Sequence, residues 1–383
     1  MARMILNETS YFGAGCRREV VGELNRRNMK KAFIVSDKDL VKFGVAKKVT
    51  DVLDGAGIAY ELFDDVKANP TIANVQSGLA AFRRAKADVI IAIGGGSVMD
   101  TAKAIGIIVE NPEFADVKSL EGTAETKHKS FPVIAFATTS GTAAEVTINY
   151  VITDEEAGRK LVCVDPNDIP VIAFNDAEML MSMPKGLTAA TGMDALTHAI
   201  EAYITPGATP ISDLMTWNSI KFIAENLEAA VSDGTNAAAR EGMAYGSYVA
   251  GMAFSNVGLG IVHSMAHPLG ARYDIAHGVA NALLLPFVME YNKPAAVKKF
   301  GDIARAMGVD TKGMSEEQAA DAAIEAVRRL SKAIGIPQRL RDIGIKEEQL
   351  AQLAEDAFID PCTGGNPRKT SVAEILEIYK KAL

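Results

Sequence analysis

Cysteine is scarce in this chain, and its distribution excludes a disulfide framework. Cys16, Cys163 and Cys362 lie far apart among 383 residues, and their number is odd. Disulfide-stabilised secreted domains instead carry closely spaced cysteines in even numbers. The cysteine usage is typical of a reducing compartment, and we therefore expect the protein in the cytoplasm.

The sequence also lacks a basic block and a long apolar run. Lysine and arginine together number 40 against 48 aspartates and glutamates, which gives a formal net charge of −8. Nucleic acids and anionic membranes attract clustered positive charge, so neither is an expected partner. No apolar run reaches the ~18 residues of a membrane span. The first residues, MARMILNETSYFG, contain no hydrophobic stretch of a secretory signal.

Apolar residues, by contrast, are abundant. They make up 48% of the chain, and 383 residues exceed the size of one ordinary core, so two domains are expected. In the first half, short apolar runs alternate with helical patterns, which predicts an α/β domain with a parallel sheet over residues 1–183. Predicted strands with their following turns cover 30–37, 59–66, 88–97 and 131–142, and predicted helices cover 37–57 and 71–87.

The second half has a different pattern. From about Pro184 the strand signals fade, and long helical patterns continue to the C-terminus. Glycine and alanine recur at three- and four-residue spacing in 243–254, which is typical of closely packed helices, and 316–335 is amphipathic. We therefore predict an all-helical, metal-binding C-terminal domain over residues 184–383.

The expectation of a metal comes from histidine, which is also scarce. Four of the five histidines fall in two short segments, 191–203 and 261–278. If the first segment is a helix, Asp194 and His198 are four residues apart and lie on one face. Taken alone, such a pair is more often a hydrogen bond on a helix surface.

The second segment adds three imidazoles. His263 and His267 are four residues apart, with Pro268 and Gly270 as an expected helix stop, and His277 follows beyond a turn. A carboxylate oxygen combined with imidazole nitrogens suits Zn²⁺ or Fe²⁺ and is too rich in nitrogen for Mg²⁺ or Ca²⁺. Together the two segments predict a buried metal site.

A run of glycines in the first half is suited to binding a phosphate. GGGS (94–97) lies between an apolar strand and a probable helix. Glycines let backbone N–H groups approach a pyrophosphate, and a helix N-terminus adds positive potential. We expect Ser97 to cap this helix, with Asp100 completing a capping box. A plain tight turn is the alternative, and the G-x-G-x-x-G pattern is absent.

Polar residues follow two other predicted strands. Asp37 could accept hydrogen bonds from an adenosine ribose and would repel a 2′-phosphate, which favours NAD over NADP. An ordinary helix cap is the alternative for this residue. Thr138, Thr139 and Thr142 supply hydroxyls after another strand, where open parallel sheets bind ligands.

These motifs resemble the iron-containing, group III alcohol dehydrogenases over nearly the whole chain. The similar stretches are DVIIAIGGGSVMDTAKA (88–104), TTSGTAAEVT (138–147), TGMDALTHAIEAY (191–203) and GLGIVHSMAHPLGARYDIAHGVANALLLP (258–286). The resemblance implies NAD-dependent interconversion of a small aldehyde and an alcohol by a homodimer. It also implies that residues 1–183 form the dinucleotide-binding domain and that residues 184–383 form the metal-binding catalytic domain.

The resemblance also implies roles for individual residues. It implies an Fe²⁺ ion held by Asp194, His198, His263 and His277, although Zn²⁺ stays open. His267 is implied near the substrate and outside the ligand set, as a candidate catalytic residue. Substrate contacts are implied for Asn149, Phe254 and Cys362. Contacts to NAD are implied for Asp37, Asn69, Gly95, Gly96, Ser97, Thr138, Thr139, Thr142, Asn149 and Lys160.

Two other functions stay open from the sequence. One is a metal- and NAD-dependent lyase of the dehydroquinate synthase type, which would need basic residues for a phosphorylated sugar acid. The metal segments contain little lysine or arginine apart from Arg272, which favours a small uncharged substrate. The other is a non-catalytic protein whose metal only stabilises the helical domain.

Overall fold

The computed structural model of the protein describes residues 3–383 and divides into two compact units. The α/β unit consists of Met4–Thr139 and Ala143–Ser182. The described residues of the helical unit are Met183–Leu383 together with Arg3 and Ser140–Thr142.

A six-stranded parallel sheet organises the α/β unit. The strands are β1 (Thr9–Phe12), β2 (Lys31–Val35), β3 (Ala59–Phe63), β4 (Val89–Gly94), β5 (Val133–Ala137), β6 (Asn149–Asp154), β7 (Arg159–Val164) and β8 (Ile172–Asn175). The sheet has the order β1-β8-β5-β4-β2-β3, and β6 pairs antiparallel with β7 in a separate hairpin. The predicted parallel sheet is confirmed, whereas the hairpin was not predicted.

The central strands β4 and β5 are apolar on both faces because both faces of the sheet are covered there. All six residues of β4 are buried, and its register with β5 pairs Ile91 with Ile134. Ile90 and Ala92 belong to one buried cluster, whereas Val89 and Ile91 belong to another. Because successive side chains in a strand point to opposite faces, a continuous apolar run is what a doubly covered strand requires.

Six helices accompany the strands of this unit. They are α1 (Val20–Arg26), α2 (Lys38–Lys42), α3 (Lys47–Gly55), α4 (Ile72–Ala85), α5 (Gly96–Glu110) and α6 (Ala177–Leu180). The single helix predicted over 37–57 is wrong, because two helices occupy that range. They are separated at Gly44, whose φ of 73° is a left-handed conformation that glycine adopts without strain.

The start of α5 also differs from the prediction. Gly95 is the residue before the helix, and no side chain caps this end. Ser97 therefore lies inside the first turn and is not the cap. Asp100 accepts a hydrogen bond from the backbone N–H of Val151 (3.1 Å), so it does not complete the predicted capping box. The first backbone N–H groups of α5 consequently have no side-chain acceptor.

The helical unit contains eight helices, in agreement with the predicted all-helical fold. They are α7 (Lys185–Ile204), α8 (Pro210–Ser232), α9 (Ala237–Val257), α10 (Ile261–Tyr273), α11 (His277–Ala306), α12 (Glu316–Ala333), α13 (Leu350–Ile359) and α14 (Val372–Ala382). They share one hydrophobic core, to which α7, α10 and α11 all contribute.

The helix stop predicted at Pro268 and Gly270 is wrong. Helix α10 continues through both residues to Tyr273, and Asp274 ends it with a φ of 53°. Met265 and Leu269 on either side of Pro268 are fully buried. Packing in the core therefore outweighs the local cost of a proline inside a helix.

Within residues 3–383, no single helix combines the length and apolar composition of a membrane span. One bent pair, α9 with α10, meets the length and composition criteria together.

Lys103 connects α5 to the beginning of the hairpin. Its side chain is fully buried, and its Nζ donates to the carbonyl oxygens of Thr147 (2.7 Å) and Asn149 (2.8 Å) and to Oγ1 of Thr147 (3.0 Å). Burial lowers the pKa of Lys103 to about 8. Together with Asp100, which bonds to Val151, Lys103 fixes residues 147–151 against α5.

We predict that Lys103→Met destabilises the protein by about 2–4 kcal/mol, because buried acceptors lose their donor. Urea unfolding followed by far-UV circular dichroism measures the change. Lys47→Met is the control, since the Lys47 side chain is 69% exposed, and it should leave the midpoint unchanged. Equal midpoints for both variants would contradict a structural role for Lys103.

Candidate functional site

Three helices of the helical unit bring four metal-binding side chains together. Asp194 and His198 lie one turn apart on α7, His263 lies in the first turn of α10, and His277 is the first residue of α11. One ligand atom from each residue lies within 4.8 Å of every other. Oδ1 of Asp194 is 3.6 Å from Nε2 of His277 and 4.0 Å from Nε2 of His263. One ion could therefore contact all four residues.

Close backbone packing holds His277 beside α7. Gly278 follows His277, and a Cβ atom placed there would lie 2.4 Å from the carbonyl oxygen of Ala190 on α7. Only glycine permits this approach without a backbone shift. The first turn of α11 consequently lies directly on the helix that carries Asp194 and His198.

Two of the imidazoles also have the protonation state that metal binding requires. Asp194, His198 and His263 are almost completely buried. Burial lowers the pKa of His263 well below its ordinary value and also lowers the pKa of His198. Both imidazoles are therefore neutral at pH 7 and keep a lone pair. A carboxylate oxygen combined with imidazole nitrogens of this kind fits Fe²⁺ or Zn²⁺.

Glu201 is a functional residue that the sequence analysis missed. Its Oε2 lies 2.5 Å from Nδ1 of His263, and its Oε1 accepts from the backbone N–H of Val262 (2.7 Å). Burial raises the pKa of Glu201 to about 8, so Glu201 and Nδ1 of His263 share a proton, and Nε2 of His263 stays available for an ion. The sequence did contain a signal for Glu201, because its position three residues after His198 places it on the same face of α7 as Asp194 and His198.

Asn281 is a second missed residue. Its Nδ2 donates to Oδ1 of Asp194 (2.7 Å) and lies 3.1 Å from Nε2 of His263 and 3.0 Å from Nε2 of His277. Asn281 is one turn after His277 on α11, so it occupies the same helix face. Its amide fixes the orientation of the Asp194 carboxylate.

His267 belongs to a different group from the four ligands. Its Nδ1 is hydrogen-bonded to Oδ2 of Asp360 (2.7 Å), and these two residues form a second cluster with Cys362. The His267 ring stacks on His277 with centroids 5.5 Å apart. Burial raises the pKa of Asp360, but the neighbouring His267 lowers it to below its ordinary value overall. Asp360 is therefore a carboxylate at neutral pH.

The predicted substrate residues lie in both units. The ring of Phe254 stacks on His198 at 4.2 Å between centroids, so it forms an apolar surface beside the four ligands. Cys362 lies in a short 3-10 turn and donates its backbone N–H to Oδ1 of Asp360 (2.9 Å). Asn149 begins β6 in the α/β unit, and its buried Oδ1 has no hydrogen-bond partner among the described residues.

The predicted nucleotide residues of the α/β unit follow neighbouring strands. The chain runs from β2 outward to β3 and returns to β4 on the other side of β2, so the direction of winding reverses between β2 and β4. Parallel sheets bind ligands outside the carboxyl ends of the strands at such a point. Residues at this edge are Asp37 after β2, Gly95, Gly96 and Ser97 after β4, and Thr138 and Thr139 after β5.

The turns after β4 and β5 are in close contact. Thr138 donates its backbone N–H to the carbonyl oxygen of Gly94 (3.1 Å). A Cβ atom on Gly95 would lie 3.0 Å from Cγ2 of Thr139. The glycine turn and the threonine turn consequently form one small surface beside the N-terminus of α5.

The other predicted nucleotide residues make contacts of their own. Lys160 donates from Nζ to Oδ1 of Asn69 (2.8 Å), which places the hairpin against the loop after β3. Asp37 caps α2 by accepting from the N–H of Leu40 (2.8 Å), as the alternative for that residue supposed. Thr142 belongs to the helical unit.

The chain is similar to known proteins over its whole length. Residues 7–177 match the family model for iron-containing alcohol dehydrogenase. Residues 188–383 match the model for the C-terminal region of the Fe-containing alcohol dehydrogenase family. The chain is 56% identical to the lactaldehyde reductase of Escherichia coli (strain K12) over 380 residues, which cover 99% of both chains. It is 45% identical to the 1,3-propanediol dehydrogenase of Klebsiella pneumoniae, covering 99% of this chain and 98% of that one.

Solved structures agree with the sequence comparisons. A 1,3-propanediol oxidoreductase superposes with a TM-score of 0.97 at 44% identity and 100% coverage of both chains. The sulfoacetaldehyde reductase from Bifidobacterium kashiwanohense, solved in complex with NAD⁺, superposes with a TM-score of 0.89 at 29% identity, covering 100% of this chain and 98% of that chain.

We predict that His263→Ala abolishes iron binding, because it removes one of four donors. His267→Ala should retain the iron, because His267 bonds to Asp360 and is outside the ligand set. Iron content after anaerobic loading and desalting measures both outcomes. Loss of iron from His267→Ala would instead make that residue a ligand.

We also predict that Glu201→Gln weakens iron binding by about 10–100-fold, as is typical when a carboxylate that orients a metal-binding histidine is changed. Competition with a chromophoric chelator measures the affinity. Glu225→Gln is the matched control on α8, since the Glu225 side chain is 58% exposed. An unchanged affinity in Glu201→Gln would exclude the orienting role.

Proposed function

The chain belongs to the iron-containing alcohol dehydrogenase family, and we propose that it is an NAD(H)- and iron-dependent enzyme interconverting lactaldehyde and 1,2-propanediol. The observation that carries the proposal is the cluster of Asp194, His198, His263 and His277 on three helices. The 56% identity to a lactaldehyde reductase over nearly the whole chain supports this substrate pair. Related short-chain alcohols and diols are the alternative substrates.

The four ligands suit a cofactor of Lewis-acid character. When bound, Fe²⁺ polarises the C–O bond of the substrate, and NAD exchanges a hydride with the carbinol carbon. Asp194 is the only anionic member of the ligand set, so it reduces the positive charge of the site, whereas the imidazoles leave it unchanged. The family favours iron, although the donor set also suits Zn²⁺.

His267 and Asp360 are suited to moving a proton. Asp360 accepts the Nδ1 proton of His267, which leaves Nε2 as the nitrogen that can take a proton from, or return one to, the alcohol oxygen. We propose this relay as the role of His267. Phe254, stacked on His198, is a proposed substrate contact whose apolar ring would exclude water from the ligand side. Asn149 and Cys362 are the other proposed substrate contacts.

We propose residues 1–183 as the dinucleotide-binding domain and residues 184–383 as the metal-binding catalytic domain. The uncapped N-terminus of α5 offers free backbone N–H groups to a pyrophosphate. Asp37 would bind the ribose and disfavour NADP. The other proposed NAD contacts are Asn69, Gly95, Gly96, Ser97, Thr138, Thr139, Thr142, Asn149 and Lys160. A homodimer and a cytoplasmic location stay predictions.

The lyase alternative is less well supported. Arg272, the only basic residue in the metal segments, is paired with Asp356 through Nε (2.5 Å) and Nη2 (3.0 Å). It is thus already neutralised and poorly placed to bind the phosphate of a sugar acid. An uncharged aldehyde needs no such cation.

We predict that iron-loaded protein oxidises NADH when lactaldehyde is added, and does so faster than it oxidises NADPH. Removal of the metal with a chelator should abolish the rate, and Fe²⁺ should restore it. NADH absorbance measures the rate with a panel of lactaldehyde, glycolaldehyde and acetaldehyde. Constant absorbance with every aldehyde, in protein that holds iron, would reject the dehydrogenase and favour a non-catalytic metal.

A further inference from the structure

Beside the four ligands, the helical unit carries a second group of metal-binding side chains. One ligand atom each of His267, Asp360 and Cys362 lies within 4.8 Å of the others. The His267 and Asp360 side chains are only 11% and 10% exposed. Cys362 is half-buried. The three residues together therefore offer one nitrogen, one oxygen and one sulfur in a largely enclosed place.

Hydrogen bonds and close packing hold this group in place. Asp360 accepts from the backbone N–H of Cys362, which fixes the carboxylate relative to the thiol. The Thr363 hydroxyl is within hydrogen-bond distance of Ser264 Oγ on α10 (2.8 Å). A Cβ atom on Gly365 would lie 2.0 Å from the carbonyl oxygen of Leu259. The segment 360–365 is consequently anchored at the start of α10, the helix that carries His267.

The donors select a particular class of ion. Imidazole, carboxylate and thiolate are the usual ligands of Zn²⁺, and three protein ligands leave one position for water. Mg²⁺ and Ca²⁺ require oxygen ligands and are excluded. Asp360 and the thiolate of Cys362 together cancel the charge of a divalent ion. A second ion would therefore add little repulsion to a dication among the four ligands nearby.

We propose that His267, Asp360 and Cys362 form a second, inhibitory site for Zn²⁺. As the Zn–S bond forms, the Cys362 thiol releases its proton to solvent, and no electron transfer is involved. The ion occupies His267 and Asp360 and so prevents them from moving a proton. The inhibition rests on the proposed dehydrogenase function, whereas the binding does not.

Zinc binding to iron-loaded protein tests the site without turnover. We expect one zinc per chain in addition to one retained iron, measured by elemental analysis after desalting. Cys362→Ser should weaken zinc binding by about 100-fold or more, since one of three ligands is lost. Cys16→Ser is the matched control, because Cys16 is a half-buried free cysteine in the α/β unit, and it should bind zinc as the unaltered protein does.

A second pair of variants and a Co²⁺ spectrum separate the loss of a zinc ligand from misfolding. Asp360→Asn should weaken zinc binding, whereas Asp356→Asn on α13 should not, and circular dichroism checks the fold of each. Co²⁺ added to iron-loaded protein should give a thiolate-to-metal charge-transfer band that Cys362→Ser lacks. Zinc inhibition is expressed relative to the zinc-free rate of each variant. The variants that bind zinc more weakly should also be inhibited less by a given zinc concentration.

Two results would overturn the proposal. One is zinc uptake accompanied by an equal loss of iron, which would mean replacement at the four-ligand cluster. The other is equal zinc affinity in Cys362→Ser and Cys16→Ser. If zinc binds through Cys362 but no aldehyde is reduced, the second site stands and the dehydrogenase function fails.

Discussion

The buried carboxylate of Asp194 among three imidazoles is the constraint on which the helical unit depends. Asp194 is 2% exposed, and burial of a carboxylate is costly unless hydrogen bonds or a cation compensate it. The amide of Asn281 provides one hydrogen bond, and a divalent ion shared with His198, His263 and His277 would neutralise the charge. We therefore expect metal binding and the stability of this unit to be coupled.

Asp194, His263 and His277 are each positioned by a neighbour that does not bind the ion. Glu201 orients His263 and also accepts from the first turn of α10, so one carboxylate fixes both a ligand and the helix that carries it. Gly278 lets α11 approach α7 closely enough for His277 to reach Asp194. The same logic extends to His267, whose partner Asp360 is fixed by the following turn.

Much of this arrangement could be predicted from the sequence, because it rests on strong local patterns. Alternating strands and helices predict the parallel sheet, and a shortage of histidine makes four of them in two segments informative. Glu201 and Asn281 were missed because single carboxylates and amides are common on helices. Their importance comes from contacts with residues far away in the chain.

Three details of the predicted helices were wrong, namely the unbroken helix over 37–57, the stop at Pro268 and the cap of α5. A glycine at position 44 breaks one predicted helix, since a left-handed φ is invisible in an apolar pattern. Pro268 does the opposite, because burial of its neighbours keeps α10 continuous. At the start of α5 a serine is the usual cap, but the chain places glycine there and leaves the N–H groups open. Gly44 thus breaks a helix through its own backbone freedom, whereas core packing outweighs the local preference at Pro268.

X-ray absorption at the iron K-edge of the iron-loaded protein tests the central claim most directly, because it reports the atoms bound to the ion. The account predicts a first shell of nitrogen and oxygen only, with the multiple-scattering pattern of several imidazoles. A sulfur atom in the first shell, or an iron without imidazole scattering, would contradict the convergence of Asp194, His198, His263 and His277 on one ion.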